Sequence, residues 1–175
     1  MLEPTWLETT WFILWAVLWA VYFLLDGFDL GLGSLLPFLA RNHEERGVIT
    51  RSMGPVWDAN EVWLVAAAGV TFAAFPLVYA TLFSSLYLPF LALLFALILR
   101  GVSLELGYKK DGVAWQRFWA LGAFLGSLFP ALLLGFIFSH LFSGLPVDRE
   151  GAYFGGWRIL ANWYSLLGSL WFFSL

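Results

Sequence analysis

The sequence predicts an all-α integral membrane protein, with a first four-helix transmembrane bundle and the start of a fifth transmembrane helix. Three observations carry this. The chain is 61% hydrophobic and only 12% charged, whereas soluble domains are about 45–50% apolar and about 25% charged. Its mean hydropathy is +0.81. Its 18 Phe and 11 Trp suit lipid-facing surfaces and interfacial aromatic belts.

The first helix is predicted over residues 9–40. Residues 9–25 carry no formal charge, and after Asp26 and Asp29 the run from 30 to 40 is apolar again. At about 1.5 Å per residue this helix reaches about 48 Å, beyond a hydrocarbon core of about 30 Å. It is expected to tilt or project into the headgroups, with a bend at Pro37. Met1-Leu2-Glu3 has no basic region, so this run reads as a retained anchor rather than a signal peptide.

A charged loop is expected over 41–52. Gly54-Pro55 then opens a second helix, which ends at Phe75-Pro76. Residues 62–99 carry no formal charge. One helix of that length would be about 57 Å, too long for a bilayer, so two helices with a tight turn near Pro76 are predicted. The third spans 77–100 with a kink at Pro89. A polar stretch over 105–116 precedes the fourth, 117–142. These four form a bundle over 1–142. An external loop covers 143–156, and the start of a second bundle covers 157–175. Residues 166–175 have no charge and no polar flank, which predicts a chain cut inside or just after its fifth helix.

Arg41, Arg46, Arg51, Arg100, Lys109, Lys110 and Arg117 flank the loops after helices one and three, against Arg149 and Arg158 on the other side. The positive-inside rule puts the first and third loops in the cytoplasm and the N-terminus outside. The chain has no cysteine, which excludes disulfides, thiolate metal sites and haem attached through Cys. A net charge of -3 without a basic run speaks against nucleic acid.

Several polar residues at membrane depth need a reason. Asp26 and Asp29, at i and i+3, share a helix face. A carboxylate at a helix centre costs about 2.5–3.5 kcal/mol on insertion scales. At least one is expected to be buried and functional; the alternative is that both reach water near the cytoplasmic interface. Trp57, Asp58, Asn60, Glu61 and Trp63 crowd the start of the second helix. Acidic groups favour a helix N-terminus and Trp favours the interface, but neither accounts for their concentration. The pattern suits a proton entry path. Arg100, on the same side, either neutralises one of the aspartates or snorkels to the interface. Gly27 with Gly31, and Gly122 with Gly126, have the spacing of helix-packing pairs. His140, without a second membrane histidine, is a poor basis for a haem or metal ligand, so no metal site is predicted.

These residues resemble a known family: subunit II of the cytochrome bd-type quinol oxidases, including the cyanide-insensitive relatives. The resemblance rests on Leu25-Asp26-Gly27-Phe28-Asp29-Leu30-Gly31, Gly54-Pro55-Val56-Trp57-Asp58-Ala59-Asn60-Glu61-Val62-Trp63-Leu64, Phe72-Ala73-Ala74-Phe75-Pro76, Tyr79-Ala80-Thr81-Leu82-Phe83-Ser84 and Arg100-Gly101-Val102-Ser103-Leu104-Glu105. It covers nearly the whole chain but about the first half of the family's length, and Asn162-Trp163-Tyr164 departs from the usual Asn-Pro-Tyr. It implies an eight-helix subunit in a bacterial or archaeal plasma membrane, where quinol oxidation is coupled to reduction of dioxygen to water. It places haem b and haem d in a partner, subunit I, with none ligated by this chain. It further implies small single-helix accessory subunits, contact with lipid and quinone, and in some members a bound quinone and a dioxygen channel. By motif position, Asp58 leads a cytoplasmic proton path, with Asp29, Asp26 and Arg100 beside it and Glu61 and Glu105 weaker. Trp63 is assigned to the channel mouth, with Trp57 and Asn60 in support. A fragment of a proton-coupled transporter is the competing reading, since carboxylates at depth and Pro-broken helices occur there too.

Overall fold

Thr5 sets the start of the first helix. Its hydroxyl accepts from the Glu8 N–H, and the Glu8 carboxylate accepts from the Thr5 N–H at 2.7 Å, a reciprocal cap. A computed structural model describes residues 4–40, 42–107, 109–110, 112–147 and 162–174, excepting the side chain of His43. Helix α1 (Trp6–Leu39) has 34 residues and carries Pro37 in its last turn, about 51 Å at 1.5 Å per residue. Its buried residues, among them Tyr22, Asp26, Asp29, Leu30 and Gly33, recur at helical spacing and begin only at its midpoint. Residues 4–14 are exposed on this chain.

The charged loop expected over 41–52 is instead a helix, α2 (His43–Met53). Asn42 caps it by accepting from the Glu45 N–H at 2.8 Å. Glu44 and Glu45 lie in its first turn and Arg51 in its last, as the helix dipole favours. Met53 anchors it in a small core with Leu36, Leu104 and Ala123. Loss of the cap in Asn42→Ala is expected to cost about 1 kcal/mol, read as faster protease cleavage within residues 43–53.

Helix α3 (Trp57–Ala74) ends where Phe75 takes a non-helical conformation before Pro76. Helix α4 (Pro76–Ser85) restarts with proline at its first position and diverges from α3 by 118°. The tight turn expected near Pro76 is therefore present. The single helix expected over 77–100 is not, because Leu86 leaves helical geometry and separates α4 from α5 (Tyr87–Leu106). The kink expected at Pro89 gives way to this break. Pro89 falls in the first turn of α5, where its missing N–H leaves no helical bond unmade.

Helix α6 (Val113–Ser143) is the hub, packing against α1, α5 and α7 (Trp163–Ser174). Small residues on its buried face permit this. A Cβ on Gly126 would lie 2.6 Å from the Arg100 backbone N, and one on Gly135 would lie 2.6 Å from Phe172 Cβ. A Cβ on Gly122 would overlap the Ser103 side chain. In contrast, Gly27 and Gly31 have nothing within 4 Å of a built Cβ. The helix packing expected of that pair is not made among the described residues. Gly33, one face away, makes it instead, against Ser127.

Helices α1, α5 and α6 are long and apolar enough to cross a membrane, and α3 with α4 gives a fourth span if counted as one bent unit. Among the described residues the protein is all-α apart from turns and one isolated bridge residue, Val147. Large apolar side chains such as Phe28, Phe38, Phe95 and Trp171 point outward, as a surface facing lipid or another membrane subunit requires. The stretch 148–161, with Arg149, Trp157 and Arg158, lies outside the described residues.

Candidate functional site

Among the described residues Arg100 is the largest fully buried side chain. It projects from α5 where Gly126 lets α6 come into backbone contact. On the other flank, Trp57 at the start of α3 packs its ring against Gly101, where a Cβ would lie 3.0 Å away. Two neighbouring helices thus hold α5 at the turn that carries the guanidinium.

That guanidinium meets three carboxylates from two helices. Nη2 donates to Asp26 Oδ1 at 2.8 Å and Nη1 to Asp26 Oδ2 at 3.1 Å, a bidentate pair with both side chains fully buried. Nη1 also donates to Glu61 Oε1 at 3.2 Å. Asp29 Oδ2 stands 3.9 Å from Nη2 and accepts from Asn60 Nδ2 at 2.7 Å. Asn60 and Glu61 lie next to each other on α3, so α3 is tied to α1 through Asn60 and to α5 through Glu61.

With every group ionised, one positive charge faces three negative ones. An uncompensated charge in a low-dielectric interior costs several kcal/mol. The cluster is therefore stable only if it holds protons or reaches water. Glu61 provides the reach, since its side chain is 21% exposed while Asp26 and Arg100 are at 0%. Tyr22, one helical turn before Asp26, is also fully buried.

The structure therefore brings together Asp26, Asp29, Asn60, Glu61 and Arg100. It does not bring in Asp58 or Glu105, which are exposed on this chain. Asp58 sits one turn before Glu61, at the open end of α3. Tyr22 was not singled out by the sequence, because a tyrosine in an aromatic helix carries no polar signature of its own.

Above the cluster lies an apolar cavity of about 640 Å³. Leu64, Val65 and Ala68 of α3, Leu97 of α5 and Trp19 of α1 are among its walls. Each of these elements runs on within about one or two turns to a member of the charged cluster. Trp63 packs against the adjoining core and does not line this cavity.

A haem or metal would need ligands. Among the described residues no group of three or more His, Asp and Glu is arranged to hold a metal ion. His140 is buried, with Nδ1 2.8 Å from the Phe136 carbonyl oxygen. Its Nε2 is enclosed, and the residue lines neither this cavity nor a smaller one near α2. The described residues do not fit a haem.

Comparison with known proteins bears on this geometry. Residues 7–175 match the family model described as cytochrome bd terminal oxidase subunit II. The cytochrome bd ubiquinol oxidase subunit 2 of Bacillus subtilis (strain 168) is 45% identical over 164 residues, covering 94% of this chain and 48% of that protein. The cytochrome bd-I ubiquinol oxidase subunit 2 of Escherichia coli (strain K12) is 36% identical over 174 residues, covering 97% and 46%. A probable cytochrome oxidase subunit 2 of Haemophilus influenzae is 36% identical over 171 residues, covering 95% and 45%. The chain spans about half the length of these relatives. With a family match over nearly all its residues, the chain belongs to the cytochrome bd terminal oxidase subunit II family.

Proposed function

We propose that this chain forms the N-terminal half of the non-haem subunit of a quinol:oxygen oxidoreductase in a bacterial or archaeal plasma membrane. Its relatives are named as ubiquinol oxidase subunits, which supports the oxidase reading over a transporter. In this reading the chain completes an eight-helix subunit and pairs with a haem-bearing subunit I, with small single-helix accessory subunits around them. The haem b and haem d of the partner supply the redox chemistry.

The role of this chain is to move protons. The observation that carries the reading is the Arg100 cluster, where three carboxylates share one buried guanidinium. Such a group binds and releases protons at little structural cost, because Arg100 holds the carboxyls in place in each protonation state. Asp58, exposed at the open end of α3, receives protons from the side bearing the Arg and Lys residues, and the positive-inside rule makes that side cytoplasmic. Glu61 passes them to Asp29 and Asp26. The N-terminus then faces outward. The apolar cavity suits dioxygen or the ring and tail of a bound quinone, with Trp63 beside its wall.

The test is oxygen uptake by the purified full-length complex. Glu61→Gln and Asp58→Asn are expected to slow quinol-driven uptake about tenfold or more, as loss of a proton-transfer group does, while the visible haem bands keep wild-type intensity. Full activity in both variants with normal haem content overturns the proton-path role. A colourless preparation that lacks a haem-bearing partner overturns the oxidase reading itself.

A further inference from the structure

A second, smaller cavity lies at the Arg- and Lys-bearing end of the bundle, where Ser103 lines it one turn of α5 beyond Arg100. Its volume is about 60 Å³. One ordered water needs roughly 10–15 Å³ on this measure, so the space suits about four waters or one tetrahedral oxyanion. Three helices enclose it: Arg46 and Thr50 come from α2, Ser103 from α5, and Gln116 and Trp119 from α6.

The polar inventory of this cavity is unbalanced. Arg46 makes no ion pair among the described residues, although it is partly buried. Arg46 Nε, Trp119 Nε1 and Gln116 Oε1 are all buried without a hydrogen-bond partner. Two of these atoms are donors. A half-turn of the Gln116 amide presents a third, since its oxygen and nitrogen exchange places. The hydroxyls are already committed: Thr50 donates to the Arg46 carbonyl at 2.7 Å and Ser103 to the Leu99 carbonyl at 2.6 Å. No carboxylate lines the cavity. A partly buried guanidinium with neutral donors and no acidic partner calls for an anion.

The setting narrows the class. Ser103 and Gly107 lie at the end of α5 and Gln116 near the start of α6. The turn between them carries Lys109 and Lys110, and Lys110 sits 5.0 Å from the centroid of the Trp115 ring. Trp115, whose Nε1 donates to the Leu106 carbonyl at 2.9 Å, marks the interfacial level. Basic pockets between membrane helices at this depth meet phosphate headgroups.

We propose that the cavity between α2, α5 and α6 is a phosphate-type oxyanion site. Arg46 supplies the charge, and Trp119 and Gln116 supply neutral donors. The phosphate comes from the headgroup of an anionic phospholipid or from free inorganic phosphate. Occupancy fastens the short helix α2 to the hairpin of α5 and α6.

The experiment is native mass spectrometry of the detergent-purified full-length complex titrated with phosphatidylglycerol, with phosphatidylcholine, and with inorganic phosphate. Saturable binding of phosphatidylglycerol or phosphate is expected, weakened about tenfold or more in Arg46→Gln through loss of charge-assisted bonds. Displacement of the lipid by millimolar phosphate assigns the site to the oxyanion alone. Binding of the lipid without such displacement assigns it to the headgroup with its chains. Should Arg46→Gln not assemble, Trp119→Phe is expected to weaken the same binding. Wild-type affinity in the assembled variant, equal uptake of phosphatidylcholine, or no saturable binding of either anion overturns the proposal. Binding is read directly, so failure here leaves the proton-path reading untouched.

Discussion

Replacing Arg100 with methionine is expected to remove the subunit from the membrane. Among the described residues, the guanidinium is the only positive charge paired with Asp26, Asp29 and Glu61. Taking away one partner of a buried ion pair costs about 3–5 kcal/mol, a large share of the about 5–15 kcal/mol that holds a typical domain together. The expected result is loss of assembled complex from membranes, read by immunoblot and by the haem bands of the partner. Arg100→Lys keeps the charge but not the planar fork that grips both oxygens of Asp26, so partial recovery is expected. Arg117→Met, at an exposed position on α6, is the control and should assemble as the wild type does. Normal levels of complex with Arg100→Met would mean that the cluster is not what holds α1, α3 and α5 together.

Gly126→Leu is expected to have an effect of similar size by a different route. The backbone of α5 at Arg100 lies where even one added carbon would sit, 2.6 Å from the nearest atom. That neighbour is backbone and cannot rotate aside, so α5 must shift and take the guanidinium with it. Overpacking costs about 1–3 kcal/mol, and the displaced ion pairs add to it. Gly126→Ala should lower the thermal midpoint of the purified complex, and Gly126→Leu should prevent assembly. Gly69, where an added Cβ has nothing within 4 Å, provides the contrast. Gly69→Ala is expected to leave the midpoint within a degree or two of wild type or raise it, given the helix propensity of alanine.

The sequence made the membrane class and the long helices plain, because hydrophobic length is a property of each segment alone. The acidic motifs were visible for a related reason: a carboxylate in an apolar run is costly wherever it points. What spacing could not give was depth and azimuth. Asp58 and Glu61 are three residues apart and look equivalent in sequence. In the folded chain α3 begins at Trp57, so Asp58 is on the open first turn while Glu61 reaches Arg100. The glycines repeat the point, since Gly27 and Gly126 sit in similar motifs but only Gly126 faces another backbone. The helix at 43–53 was hidden because it lacks an apolar stripe, although Asn42 followed three residues later by Glu45 is a capping signature. The break at Leu86 has no proline or glycine of its own to announce it.

The pairing of Asp26 with Arg100 also constrains biosynthesis. The two residues lie 74 positions apart. At roughly 5–20 residues per second, α1 leaves the ribosome several seconds ahead of the Arg100 side chain that pairs with it. During that interval the guanidinium that grips both oxygens of Asp26 in the folded chain has not yet been made. The insertion machinery has to keep this helix hydrated, or admit its acids uncharged, until α5 emerges, so the order of synthesis makes the subunit depend on a delayed rather than stepwise release into lipid.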